Sequence, residues 1–365
     1  MIVNSLELMD FRNYEREVFD FDPETNVLFG DNAQGKTNVL EGIYLCSTTR
    51  SHKGSKDREM IRLGCEEAHL RMIVEKNGIH HKIDVHLKKS KSKGIAVDGV
   101  PVKKSGELLG VSNIVFFSPE DLAIIQNGPE ARRRFIDMEL CQLDKMYLFC
   151  LTKYKSVLKQ RNELLKQISI NSDLMDTLDI WNSKLVEYGT YIIQARKEFI
   201  EKLNCYIKEI HQKLTGGRED IELIYEPNVV SEEFSQKLIL SEQKDIIKKT
   251  THAGPHRDDL SFVSGKKDLR KFGSRGQQRT GALSLKLTEI QIVEEKMGDK
   301  PILLLDDVLS ELDRKRQNYL LEHIKGIQTI ITCTGLEEFV KNGINIQKTF
   351  EIEEGRRKNG ESGKD

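Results

Sequence analysis

No run of about 18 apolar residues occurs anywhere in this 365-residue chain, so no transmembrane helix is expected. Met1 to Asp10 mixes apolar with acidic side chains, which is unlike a secretion signal. The expected location is the cytoplasm, with no membrane partner. The six cysteines (Cys46, Cys65, Cys141, Cys150, Cys205 and Cys333) form no CxxC pair and have no histidine cluster beside them. That pattern excludes a zinc ribbon and a disulfide framework, leaving reduced, buried thiols as the simplest reading. Neither sign of charge is in excess: 57 basic residues face 58 acidic ones, for a formal charge of -1. Any affinity for nucleic acid must therefore come from local patches. Only seven prolines are present, and none lies between Pro129 and Pro227, which leaves room for long helices.

What is present begins at the phosphate-binding chemistry. The apolar run Asn26 to Phe29 leads into Gly30-Asp31-Asn32-Ala33-Gln34-Gly35-Lys36-Thr37, and a helical stretch follows from Asn38 to Leu45. This is GxxxxGKT between a strand and a helix, the context a P-loop requires. Glycine at both ends lets the backbone curl so that its N–H groups converge on phosphate oxygens, and the helix adds its positive N-terminal end. Lys36 would bridge the β- and γ-phosphates of ATP, and Thr37 would ligate Mg²⁺. Asn38 completes the candidate nucleotide-binding set. A glycine-rich turn with a chance lysine is the bland alternative.

A P-loop needs a metal-facing acid on a neighbouring buried strand. Pro301-Ile302-Leu303-Leu304-Leu305-Asp306-Asp307 supplies one, its apolar run suiting a strand covered on both faces. Asp306 is the candidate Mg²⁺ ligand. Asp307 would orient or deprotonate the attacking water, unless it only caps the next helix. Asp306 lies 269 positions after Thr37, farther than one ordinary α/β domain separates adjoining strands, so a large insertion is expected.

Two helical stripes fill the proline-free stretch. Tyr147, Leu151, Tyr154, Leu158 and Leu165 form the first. Trp181, Leu185, Tyr188, Ile192, Phe199, Leu203, Tyr206 and Ile210 form the second. With a turn at Ser169 to Asp173, they predict two antiparallel helices of about 40 residues, an arm roughly 60 Å long at 1.5 Å per residue. Asp98-Gly99 between apolar runs predicts a tight hairpin. The expected architecture is an α/β head with antiparallel β structure, made of residues 1–117 and 251–365. It is split by a mainly helical lobe over residues 118–250.

Just before the acidic strand, Phe272-Gly273-Ser274-Arg275-Gly276-Gln277-Gln278-Arg279 opens a helical stretch. Ser274 with Gln277 reads as a capping box, and such an exposed helix start is also an anion site. SRGQQ resembles the signature motif of ABC-type ATPases, and Ser310-Glu311-Leu312-Asp313 resembles their D-loop; all four motifs follow that family's order. The resemblance implies that ATP joins two copies of the chain, with Ser274, Gly276 and Gln277 of one meeting the γ-phosphate held by the other.

Within that superfamily the chain resembles the RecF family over essentially its whole length. The resemblance rests on Leu6 to Tyr14, Thr49-Arg50-Ser51-His52, Phe117-Ser118-Pro119-Glu120-Asp121-Leu122 and Gly254-Pro255-His256-Arg257-Asp258-Asp259-Leu260. It implies a weak ATPase of DNA repair, replication and recombination. Such a protein binds single-stranded, double-stranded and gapped DNA as an ATP-dependent homodimer and acts with RecO and RecR to load RecA. Similarity to related repair heads brings Arg12 to the nucleotide; an ordinary surface ion pair is the alternative. Ser118 and Pro119 stand where a Q-loop glutamine is expected, Gln126 is not assigned that role, and Cys333 and Thr334 stand near the position of the switch histidine. These departures imply slow hydrolysis.

Three basic clusters are candidate DNA contacts: Lys88, Lys89, Lys91 and Lys93; Arg132 to Arg134; and Lys266, Lys267, Arg270, Lys271, Arg275 and Arg279. Each could equally be a solvated face. The competing functions are an SMC-type DNA-organising or nuclease-partner head, whose arm would run for hundreds of residues, and a transporter ATPase subunit, which would need the switch histidine. A nucleotide kinase would leave SRGQQ and SELD without a role.

Overall fold

In the computed structural model, which describes residues 1–336 and 345–358, the chain divides into two compact units. The first holds residues 1–121 and 289–365, the second residues 122–288.

Two six-stranded sheets build the first unit. One is antiparallel, in the order Tyr14–Asp20, Ile2–Phe11, Glu67–Lys76, Ile79–Lys88, Gly94–Val97, Val100–Pro101. Its strands alternate as a half-buried sheet must: Ala68, Leu70 and Met72 point into the core, while Glu67, His69 and Arg71 face solvent. The predicted hairpin is there. Val97 pairs with Val100, and Asp98 and Gly99 both take positive φ (53° and 79°), the type I′ geometry.

The other sheet has five parallel strands in the order Lys348–Glu353, Thr25–Phe29, Thr329–Cys333, Ile302–Asp306, Ile114–Phe117, with Arg356–Arg357 added antiparallel at one edge. Ile302 to Asp306 are buried throughout, as their apolar run predicts for a strand covered on both faces. The P-loop strand and the acidic strand are not adjoining, however: Thr329–Cys333 lies between them. Side chains of both sheets, among them Leu6, Leu8, Leu28, Leu304 and Ile330, form one core with Val39, Leu40 and Ile43 of the helix Lys36–Thr48. That helix is thus held on both sides, which fixes the loop at its N-terminus.

The second unit contains the helices Pro129–Leu143, Lys145–Ile168, Leu178–Thr215 and Phe234–Lys248, and a three-stranded antiparallel sheet in the order Lys267–Asp268, Asp259–Ser264, Glu222–Glu226. Both stripes are packed: Tyr147, Leu151, Tyr154 and Leu165 on one helix and Leu185, Ile192, Phe199, Leu203 and Ile210 on the other are buried. The second helix has 38 residues, about 57 Å, but the first has only 24. The Asp144 carboxylate explains the difference, because it accepts the backbone N–H groups of Met146 and Tyr147 and restarts the chain after Leu143. The expected boundary at 250/251 falls inside this unit. Residues 259–263 pair with 222–226, so the strand after the boundary cannot be detached from the lobe before it. Six free cysteines are present and four are buried, but Cys65 is half-buried and Cys205 exposed, against the expectation for all six. No helix among the described residues is long and apolar enough to cross a membrane.

Candidate nucleotide site

The loop Gly30 to Gly35 curls because both glycines adopt backbone angles that L side chains avoid, φ +142° and +115°. A Cβ on Gly30 would strike the Ile352 carbonyl, and one on Gly35 would lie 2.6 Å from the Asn13 amide nitrogen. Asn13 donates to the Gln34 carbonyl (2.9 Å) and accepts from Asn38 (2.8 Å); the Tyr14 hydroxyl donates to the Gly35 carbonyl (3.1 Å). From the other side, the backbone N–H groups of Glu354 and Gly355 donate to Gln34. Asn13 and Tyr14, which the sequence marks only through a resemblance, are the struts of the loop. Asp31, Asn32 and Ala33 form its exposed tip.

Lys36 folds back over the loop, donating from Nζ to the carbonyls of Gly30 (2.5 Å) and Asp31 (2.7 Å). Burial pushes its ammonium below the ordinary lysine value, opposed by the Cys333 thiol and by Asp307, Asp306 and Asp31. Thr37 Oγ1 donates to Asp306 Oδ1 at 2.7 Å, closing the 269-residue separation. Thr332 Oγ1 donates to the same oxygen (2.7 Å) and accepts from the Asp307 N–H (3.0 Å). Sequence reading missed Thr332, since its role exists only once its strand lies beside that of Asp306. Thr37 and Asp306 offer hard oxygen atoms side by side, the donor set that suits Mg²⁺.

Asp307 follows at positive φ (51°), half-buried, with its carbonyl accepting from Ser310. It is not the cap of the following helix: Asp313 caps Arg314–His323, its carboxylate accepting from the Arg316 N–H. Arg12 is fully engaged with protein groups. Its guanidinium grips Glu41 bidentately (2.7 and 2.8 Å) and also reaches Ser55 and the Glu59 carbonyl. Glu41 is completely buried on the P-loop helix. Burial alone would raise its carboxyl, yet hydrogen bonds from Arg12 and Ser51 and the Arg12 charge hold it below the ordinary range. Arg12 thus forms an ion pair, with a buried partner rather than a surface one.

In the second unit Ser274, Arg275 and Gly276 are exposed at the start of the helix Arg275–Met297. Gln277 Oε1 accepts from the Ser274 N–H (2.9 Å) and the Gln277 N–H donates to Ser274 Oγ (3.2 Å), the reciprocal capping box read from the sequence. Gln126 donates to Gln278 at 2.8 Å.

The basic clusters fare unequally. Arg132 is buried, clamped to Asp259 (2.6 and 3.0 Å), and Arg133 donates to the Asp258 carbonyl, so of that cluster only Arg134 is exposed. Lys93 is tied to Asp57 and the Thr49 carbonyl. By contrast Lys266, Lys267, Arg270, Lys271, Arg275 and Arg279 are all exposed.

Residues 2–358 match the family model of the RecF/RecN/SMC N-terminal domain. A DNA replication and repair protein RecF from Lachnoclostridium phytofermentans is 58% identical over 97% of this chain and 99% of that protein. One from Lachnospira eligens is 58% identical over 97% and 98%. A solved structure of the recombination mediator protein RecF with ATP superposes with TM-score 0.92 at 36% identity, covering 98% of this chain and 96% of that one. The loop built around Lys36, the acid that Thr37 meets and similarity spanning nearly the whole chain converge: this chain belongs to the RecF family of DNA replication and repair proteins.

Proposed function

We propose that the chain is an ATP-gated DNA-binding switch of recombinational repair, in which nucleotide joins two copies around DNA and slow hydrolysis releases them. Gly30 to Thr37 with Asn38 would cradle the triphosphate, and Lys36 would leave its two carbonyl partners for phosphate oxygens. Thr37 and Asp306 would hold Mg²⁺, which when bound supplies positive charge against the phosphates. Asp307, lifted out by its left-handed backbone angle, would position or deprotonate the attacking water. Ser274, Gly276 and Gln277 of the second copy would close the site, their exposed helix start offering N–H groups to an anion. The exposed basic run from Lys266 to Arg279 would meet the DNA backbone, reading charge and shape rather than bases.

The single observation that carries this reading is the 2.7 Å bond between Thr37 and Asp306, which joins the two halves of an ATPase centre from distant parts of the chain. RecF relatives lend the biology: one is described as a recombination mediator with ATP in a RecFOR pathway, so RecO and RecR are the expected partners and RecA loading the outcome. The SMC-type alternative is disfavoured by helices of 24 and 38 residues where hundreds would be needed.

Sedimentation with and without ATP and Mg²⁺, on short duplex, single-stranded and gapped DNA, tests it: ATP should convert monomer into a DNA-holding dimer. Lys36→Met should bind no nucleotide. Asp307→Asn should bind ATP and stay dimeric. Hydrolysis by Asp307→Asn at the parental rate would remove Asp307 from the chemistry, and an ATP-indifferent monomer would overturn the switch.

A further inference from the structure

Far from the nucleotide chemistry in kind, two inner strands of the antiparallel sheet, Glu67–Lys76 and Ile79–Lys88, form an unbroken ladder from Lys76↔Ile79 to Glu67↔Lys88. Each has a further strand on its other side, Ile2–Phe11 and Gly94–Val97 respectively, so neither backbone can drift. Period-two alternation puts Glu67 and His69 on the solvent face, and the register sets His86 directly opposite His69. The two imidazoles stack with centroids 3.8 Å apart and planes 25° from parallel. Both turn Nε2 toward one carboxylate oxygen: Glu67 Oε2 lies 2.6 Å from His86 Nε2 and 4.0 Å from His69 Nε2. One donor atom from each of the three residues lies within 4.8 Å of the others.

From this juxtaposition we propose that Glu67, His69 and His86 bind a transition-metal dication, with Zn²⁺ the best-matched ion. Bonds of about 2.0–2.2 Å to nitrogen and oxygen in a tetrahedron put neighbouring donors about 3.3 Å apart. The 2.6 and 4.0 Å separations straddle that spacing, so rotation about side-chain bonds, with no movement of the ladder, brings all three into range. Two imidazoles and one carboxylate favour Zn²⁺, Cu²⁺ or Ni²⁺ over Mg²⁺ and Ca²⁺, which take oxygen. The fourth position faces solvent. The chief opponent is Lys88, whose ammonium sits 3.6 Å from Glu67 Oε1; it pairs with the oxygen the metal does not need, but its charge weakens the site. None of the three ligands belongs to the apolar core of the unit.

Zn²⁺ titration of the full chain by calorimetry, in excess Mg²⁺ to occupy hard oxygen sites, is the test. One Zn²⁺ per chain should bind, His69→Ala and His86→Ala should each weaken it at least about tenfold, and Lys88→Ala should tighten it. Co²⁺ as a second probe should give the absorption of a nitrogen- and oxygen-ligated ion without thiolate charge transfer, separating this site from the exposed Cys205. Because the substituted positions face solvent, circular dichroism should match the parent. Unchanged Zn²⁺ affinity in a His69→Ala/His86→Ala double variant, no Zn²⁺ binding by the parental chain, or displacement of Zn²⁺ by Mg²⁺ would each overturn the site.

Discussion

The Arg12–Glu41 pair and Lys36 divide stability from proposed nucleotide binding around the helix Lys36–Thr48. Glu41 has no exposure, and three side chains, Arg12 through two nitrogens and Ser51 through its hydroxyl among them, satisfy it or its partner. Replacing it with Leu would leave the Arg12 guanidinium, itself largely covered, without its counter-ion, and breaking such a pair costs about 3 kcal/mol. Urea denaturation of Glu41→Leu should report that loss, whereas Lys36→Met, which removes an ammonium bonded among the described residues to two loop carbonyls, should abolish nucleotide binding with little change in midpoint. His52 behaves in the opposite sense. Its ring tilts against Phe116 with centroids 4.4 Å apart, and both ring nitrogens are buried without a hydrogen-bond partner among the described residues. Burial accordingly pushes its imidazole below the ordinary value. His52→Phe keeps the aromatic contact and deletes two unsatisfied atoms, so it should raise stability by up to about 1 kcal/mol. A fall in midpoint would mean that those nitrogens have a partner in solution.

The elements that bind the second unit together are polar as well as apolar. Gly254 to Leu260, singled out in the sequence for its resemblance alone, is a structural knot. Asp258 accepts from Arg196, Tyr225 and the Asn228 N–H, Asp259 takes Arg132, and His256 joins two stretches of chain. His256 Nε2 lies 3.1 Å from the Thr251 carbonyl, which can only accept, so Nε2 carries the proton and Nδ1 accepts from the Tyr154 hydroxyl at 2.7 Å. Burial pushes this histidine down to about 4. Since the folded value lies below the unfolded one of about 6.5, the unfolded chain takes up the proton first. The stabilisation is complete above about pH 6.5 and is lost as pH falls toward 4, by about 3 kcal/mol in all. Unfolding free energies at pH 7 and pH 4.5 should differ more for the parent than for His256→Gln; parallel pH profiles would contradict the assignment. The helices around this knot illustrate what sequence can and cannot convey. Their apolar stripes were legible because period 3.6 is a local property. The break at Asp144 was not, because the same side chain that caps a helix also tolerates a helix interior, and only tertiary packing decides.

At the scale of the whole molecule, the motifs were readable and their arrangement was not. GxxxxGKT, the strand ending at Asp306 and the capping box at Ser274 each follow from local chemistry, and the helix after the loop, the buried strand and the reciprocal cap are all found where the sequence puts them. That Thr329–Cys333 separates the strand before the GxxxxGKT loop from the strand ending at Asp306, that the lobe extends to residue 288, and that Arg132 is interior all depend on pairings between residues far apart in sequence, which no local pattern encodes. The same distinction bears on how two copies would meet. If the exposed cap at Ser274 closes the partner's nucleotide site, Ser274→Arg must leave ATP binding by a single copy intact, because that site would take its own P-loop from one copy and the cap from the other. It must nevertheless block pairing, since a guanidinium cannot fit where a hydroxyl and a glycine meet phosphate. Nucleotide titration and ATP-dependent sedimentation of this one variant should therefore part company. Since the basic residues flanking that cap are exposed, reversing charge at Lys266 and Arg270 should weaken DNA binding while preserving the ATP-dependent dimer, and should flatten its dependence on salt by roughly one counterion per lost phosphate contact. A Ser274→Arg chain that still dimerised with ATP would show that the cap faces solvent in the assembly as well, and the basic run beside it would lose its claim to the DNA.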